Sequence, residues 1–210
     1  MKTEILGTKD EHIRRAAETI RKGGIVVYPT ESFYGLGADA TNGNAVRRIF
    51  QIKKRDENMP ILVIIGNMGM LFAVAEEVPD KAERLIQRFW PGALTIIFRA
   101  KKGVPDLLHS KTGKIGIRMS GNPVARRLSE LSGTAITGTS ANISGKPPCR
   151  TVNDVMKQLK GVDVVLDGGL LDSQAATTII DVTEDPPRIL RKGLISEDLI
   201  TECIGEIRYA

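Results

Sequence analysis

Apolar residues in this chain recur at two alternating periods, and the changes of period mark out helices and strands. Ile13, Ala16, Ala17 and Ile20 lie at helical spacing, Thr8-Lys9-Asp10-Glu11 reads as a capping box before them, and Gly23-Gly24 stops the helix. Ile25-Val26-Val27-Tyr28 predicts a short buried strand ended by Pro29, and Pro29 to Asp39 a loop of small residues. Ala45, Val46, Ile49, Phe50 and Lys53 predict a helix that carries Arg47, Arg48, Lys53 and Lys54 toward its C-terminal end.

Strand and helix then keep interleaving. Strands are expected at Ile61–Ile65, Ala93–Phe98, Lys114–Met119, Ala135–Thr137, Val162–Leu166, Thr177–Val182 and Arg188–Leu190. Helices are expected from Pro79 through Phe89 and at Pro123–Leu131, Val152–Leu159 and Ser196–Ile204, with Gly138–Pro148 a polar loop. The order predicts an α/β fold: a single domain, residues 1–210, with helices flanking one mixed β-sheet.

Charge changes the picture. The net charge of +5 hides an asymmetry: residues 1–150 hold 24 basic and 14 acidic groups, residues 151–210 hold 6 and 11. An anionic partner or a solvated basic face both explain it. Two cysteines, Cys149 and Cys203, exclude a disulfide scaffold and a four-thiolate zinc site, and His12 and His109 have no metal-ligand spacing. No protein-held metal is expected. No apolar run follows Met1-Lys2-Thr3-Glu4 and none reaches membrane length, so a cytoplasmic protein without membrane association is expected. Aromatics at 4% weaken any scheme of bases stacked on rings. A P-loop, an H-E-x-x-H motif and a G-x-S-x-G motif are all missing from the sequence.

Five segments can carry chemistry. Pro29-Thr30-Glu31-Ser32-Phe33-Tyr34-Gly35-Leu36-Gly37 follows a buried strand, where α/β sheets open their ligand crevices; an ordinary turn has the same composition. Lys53-Lys54-Arg55 can clamp a polyphosphate, or simply stabilise a helix end. Arg118 ends the apolar strand Lys114-Ile115-Gly116-Ile117-Arg118 and needs a carboxylate or phosphate partner, either a ligand's or the protein's own. Thr137-Gly138-Thr139-Ser140-Ala141-Asn142-Ile143-Ser144-Gly145 gathers hydroxyls, an amide and glycines that suit an anion nest. Thr177-Thr178-Ile179-Ile180-Asp181, followed by Arg188-Ile189-Leu190-Arg191-Lys192-Gly193, can return a cation to the same crevice.

In this order and spacing the segments resemble the YrdC-type threonylcarbamoyl-AMP synthases, a similarity that covers nearly the whole chain. The resemblance implies a YrdC-like twisted sheet with a deep basic cavity. It also implies an ATP-using nucleotidyltransferase: L-threonine, bicarbonate or CO2 and ATP give threonylcarbamoyl-adenylate and pyrophosphate, with Mg2+ arriving on ATP. That product serves N6-threonylcarbamoyladenosine formation at position 37 of tRNAs reading ANN codons, through a separate threonylcarbamoyl transferase complex.

By the same resemblance Lys53, Arg55, Ser140 and Asn142 are catalytic, and with Arg191 they bind ATP. Thr30, Tyr34, Arg118, Gly138 and Thr177 bind threonine. The stretch Ala175-Ala176-Thr177-Thr178 departs from the family pattern, which leaves Thr178 as the alternative to Thr177. The chain's end soon after Arg191 implies the form without an additional C-terminal domain. The alternative to the synthase is a tRNA- or double-stranded-RNA-binding module without catalysis, resting on the basic balance of residues 1–150. A related carbamoyl-adenylating maturation factor ranks third, because two cysteines cannot build its zinc modules.

Overall fold

The structure is a computed structural model that describes residues 3–172 and 176–209; Met1, Lys2, Ser173, Gln174, Ala175 and Ala210 lie outside them. In the described residues twelve strands and eight helices follow one another as β1 (Glu4–Leu6), α1 (Asp10–Arg21), β2 (Val26–Tyr28), β3 (Gly35–Gly37), α2 (Gly43–Lys53), β4 (Val63–Ile64), α3 (Met68–Val74), α4 (Asp80–Phe89), β5 (Leu94–Arg99) and α5 (Asp106–His109). Then come β6 (Lys114–Arg118), α6 (Pro123–Ser132), β7 (Ile136–Thr137), β8 (Thr139–Ser140), α7 (Val152–Gln158), β9 (Val164–Leu166), β10 (Thr178–Asp181), β11 (Arg188–Arg191), α8 (Glu197–Ile204) and β12 (Arg208–Tyr209).

The fold is α/β with mixed sheets, but the expected single sheet is corrected to two. Five strands lie in the order β1-β9-β2-β3-β8 and seven in the order β12-β11-β10-β5-β6-β4-β7. The smaller sheet is hidden in the sequence because β3 and the edge strand β8 are built from Gly-Leu-Gly and Thr-Ser, which read as loop. Gly35 and Gly37 are required there. A Cβ on Gly35 would stand 2.8 Å from Tyr28 Cζ, and one on Gly37 2.8 Å from Tyr28 Cε1, across the β2–β3 pair.

The chain passes from one sheet to the other at Gly138. β7 pairs with β4 of the larger sheet and β8 with β3 of the smaller, with only Gly138 between them. Its N–H donates to Leu62 O at 2.8 Å, and a Cβ would collide with Leu62 Cδ1 and stand 2.9 Å from Ile64 Cγ1.

Both cores draw on both sheets. Val27, Leu36, Val63, Ile96 and Ile117 share the larger core with Ile49 and Phe50 of α2 and Leu85 of α4. Val26, Tyr28, Val164, Ile64 and Ile136 pack under α1 and α6, against Ile13, Ala16, Ala17, Ile20 and Leu128. β2 thus alternates sides as a strand must, Val27 facing one core and Val26 and Tyr28 the other.

The capping box before α1 does not form. Lys9 is the N-cap and no side chain caps the helix; Asp10 and Glu11 instead place charge in the first turn. Pro79 likewise stands at the N-cap of α4 rather than inside it. α3 and α5 are too short for their periodicity to show in the sequence.

Candidate active site

One face of the seven-stranded sheet forms a floor. Along β6, Lys114, Gly116 and Arg118 point the same way, joined by Thr95 and Ile97 of β5, Ile179 of β10 and Arg191 of β11. Ile97 is paired with Gly116, and Ile179 stands between Thr95 and Arg191 in register. Over this floor hang two turns: Thr30–Gly35, entering β3, and Thr139–Asn142, which begins with β8. Between them lies a cavity of about 440 Å³, lined also by Arg55, Pro60, Gly138, Lys146, Pro148 and Thr177.

Thr30, Tyr34, Arg55, Arg118, Gly138, Ser140, Asn142, Thr177 and Arg191 all line this cavity. Lys53 does not. At the C-terminal end of α2 it is 1% exposed, and its ammonium donates to Ser140 O, to Asn142 O at 2.8 Å and to Asn142 Oδ1 at 3.4 Å. Ser144 N–H returns a bond to Lys53 O at 2.8 Å. Lys53 is therefore a bracket under the Ser140–Asn142 turn. Burial, with repulsion from Arg55 behind it, pushes its pKa down to about 8.

The turn it holds is tightly bonded. Ser140 Oγ donates to Asn142 Oδ1 at 2.5 Å, while Asn142 Nδ2 donates to Ile143 O at 3.0 Å and Lys146 O at 2.6 Å. Among the described residues Arg55 bonds only neutral oxygens, Met59 O at 3.2 Å and Pro60 O at 2.9 Å, and burial lowers its pKa.

Thr177 and Thr178 face opposite ways. Arg191 donates through Nε to Thr177 O at 2.9 Å and through Nη2 to Thr177 Oγ1 at 2.8 Å, and Thr95 Oγ1 lies 3.3 Å from Thr177 Oγ1. Thr178 Oγ1 turns from the cavity to bond Ile195 O at 2.7 Å and Ile195 N at 3.0 Å. Burial, and then repulsion from Arg118, lowers the pKa of Arg191.

On the opposite wall Thr30 Oγ1 closes its own turn, donating to Phe33 O at 2.7 Å and accepting from Ser32 N at 3.1 Å. The Tyr34 hydroxyl is spent on the neighbouring loop: it donates to Gly169 O at 2.8 Å and accepts from Gly168 N at 3.0 Å. Burial pushes its pKa up to about 12. Arg118, with a 5% exposed side chain, forms an ion pair through Nη1 with Glu31 Oε1; Ser120 Oγ donates to Glu31 Oε2.

Sequence reasoning did not assign Lys114, Gly116, Thr95 or Lys146 to the site. The first two were findable, because a strand that aims Arg118 into a crevice aims Gly116 and Lys114 there too. Lys146 lies in irregular loop, where no period exists to read. Among the described residues no group of three or more His, Cys, Asp or Glu could hold a metal ion, and no helix is long and apolar enough to cross a membrane.

With the geometry in hand, the chain can be set beside known proteins. A family model, Sua5–YciO–YrdC, described as "Telomere recombination", matches residues 18–193. The threonylcarbamoyl-AMP synthase of Pyrococcus abyssi is 41% identical over 197 residues, covering 93% of this chain and 58% of that protein. That of Bacillus subtilis is 37% identical over 210 residues, covering 98% of this chain and 60% of that protein. The crystal structure of P. abyssi Sua5 complexed with L-threonine superposes with a TM-score of 0.95 at 38% identity, covering 100% of this chain and 63% of that one. The chain thus spans about three-fifths of the length of these relatives. A match through 18–193, which takes in every segment lining the cavity, places the chain in the Sua5–YciO–YrdC family.

Proposed function

We propose that this chain joins L-threonine, bicarbonate or CO2 and ATP into threonylcarbamoyl-adenylate with release of pyrophosphate. The observation that carries the reading is the cavity itself, where basic side chains and turn hydroxyls line one space. The names of the P. abyssi and B. subtilis relatives support it, as does L-threonine in the related P. abyssi structure.

The threonine amine adds to CO2 and releases a proton to solvent, which gives a carbamate. A carbamate oxygen then attacks the α-phosphorus of ATP, and pyrophosphate leaves with its electron pair. Three anionic groups, the carbamate, the threonine carboxylate and the triphosphate, must sit close together. Positioned cations and N–H donors meet that need, and no protein nucleophile is required.

In this reading Arg118 takes the threonine carboxylate, beside Thr30 and Thr177 and the backbone of Gly138, with Tyr34 as wall. Arg55 and Arg191 hold the triphosphate, and Ser140 and Asn142 contact the phosphate under attack. Lys53 acts on ATP through the turn it brackets, keeping Ser140 and Asn142 aimed at the cavity. Mg2+ enters bound to ATP and offsets phosphate charge. Transfer of the product to tRNA falls to a separate transferase complex in the cytoplasm. A tRNA or double-stranded RNA contact on the basic surface is the second reading, favoured by the charge excess of residues 1–150.

Purified protein given ATP, Mg2+, threonine and bicarbonate should release pyrophosphate only when threonine is present, with the adenylate detected by mass. Salt-sensitive RNA binding that ATP does not displace, with no adenylate formed, would favour the second reading.

A further inference from the structure

Five basic side chains line the cavity, and they fall into two kinds. Lys114 is compensated by Asp181 and Glu184, each at 2.9 Å, and Arg118 by Glu31. Arg55, Lys146 and Arg191 have no carboxylate partner among the described residues. Arg118 and Arg191 thus differ in surroundings: Arg118 is half of an ion pair, whereas Arg191 has no carboxylate beside it among the described residues.

Glu31 reaches Arg118 from outside the cavity. It is not part of the lining, its side chain is 18% exposed, and its methylene atoms lie beside Gly121. Both carboxylate oxygens are engaged, one by Arg118 Nη1 and the other by Ser120 Oγ, which fixes the plane of the carboxylate. Nη1 is the only guanidinium atom of Arg118 hydrogen-bonded to a described residue, and the buried Nε is left without a partner. A buried Arg nitrogen with no acceptor is costly unless a ligand satisfies it.

We propose that Glu31 is a specificity-determining residue that sorts the anions sharing this cavity. By neutralising Arg118 from behind, it leaves a fork suited to one carboxylate and too weak in charge to retain a phosphate group. Phosphates are then left to Arg55 and Arg191, which no carboxylate among the described residues pairs with. Without Glu31 the Arg118 subsite becomes a strong anion site open to phosphate. This inference rests on the synthase reading, since it needs threonine and triphosphate in one space.

The test is a calorimetric titration of L-threonine into wild-type and Glu31→Gln protein, with and without inorganic phosphate as probe. Gln keeps an acceptor for Nη1 and removes the charge, while its amide N–H replaces Oε2 so that Ser120 Oγ must accept rather than donate. In wild type, phosphate should change threonine affinity by less than about twofold. In Glu31→Gln it should weaken threonine about fivefold or more, while Glu31→Asp, which keeps the charge, should behave as wild type. Should Glu31→Gln not fold, Glu31→Ala carries the same comparison, with threonine itself bound about tenfold more weakly because the anchor is gone. An equal phosphate effect in wild type and the uncharged variant overturns the role of Glu31 and leaves the synthase reading standing. No threonine binding by wild type overturns both.

Discussion

The floor of the cavity and the turns above it solve opposite problems. The floor is regular sheet, where Lys114, Gly116 and Arg118 share a face because alternate residues of a strand must. Its charges are fixed by hydrogen bonds between strands, and its cations meet acidic partners or backbone at defined positions. The turns have no such ladder. Ser140–Asn142 holds its shape because a buried ammonium, Lys53, gathers the carbonyls of two of its residues. Tyr34 anchors the other wall through the 167–169 loop in the same manner. The sheet therefore supplies cations placed by register, and the turns supply reach that depends on a few buried bonds.

Breaking the bracket should have the largest effect. Lys53→Met leaves buried carbonyls unpaired, and we expect a loss of about 2–4 kcal/mol in stability by denaturant unfolding together with near-complete loss of pyrophosphate release. Unchanged stability would mean the turn holds itself. On the floor, Arg118→Ala should lower kcat/KM for threonine about 100-fold in the folded fraction, beside a stability loss from the Glu31 carboxylate left unpaired. A midpoint that falls sharply while threonine kinetics of the folded protein stay normal would make Arg118 a structural partner of Glu31 and nothing more.

Where floor and turn meet, Gly138→Ala forces a methyl against Leu62 and Ile64 and should destabilise by about 1–3 kcal/mol, read in thermal unfolding. Tyr34→Phe removes one hydroxyl that makes two backbone bonds, and about 1 kcal/mol should be lost with activity reduced only modestly. A larger loss of activity than of stability there would bring the hydroxyl into contact with substrate.

The floor was more legible in the sequence than the turns. Period-2 alternation showed β6, and an Arg closing an apolar strand advertised its own need for an anion. The two-sheet arrangement was hidden because Gly35–Gly37 and Thr139–Ser140 pair as strands through backbone alone, without apolar side chains to mark them. Lys53 and Arg55, two positions apart and alike in charge, read as one phosphate clamp. Lys54, between them, takes a left-handed conformation at φ 50° that ends α2, so Lys53 is folded under the turn while Arg55 reaches the cavity. No composition signal separates two such cations. Glu31 lies in the Pro29–Gly37 segment, yet its ion-pair partner Arg118 is distant in sequence and adjacent only in the fold.

The most direct measurement is one calorimetric titration of L-threonine into the wild-type protein, alone and with ATP and Mg2+ present. A site that holds amino acid and nucleotide in one cavity predicts saturable threonine binding that changes in affinity when ATP is bound, and that is lost in Arg118→Ala. Threonine binding that is undetectable in both conditions would contradict it.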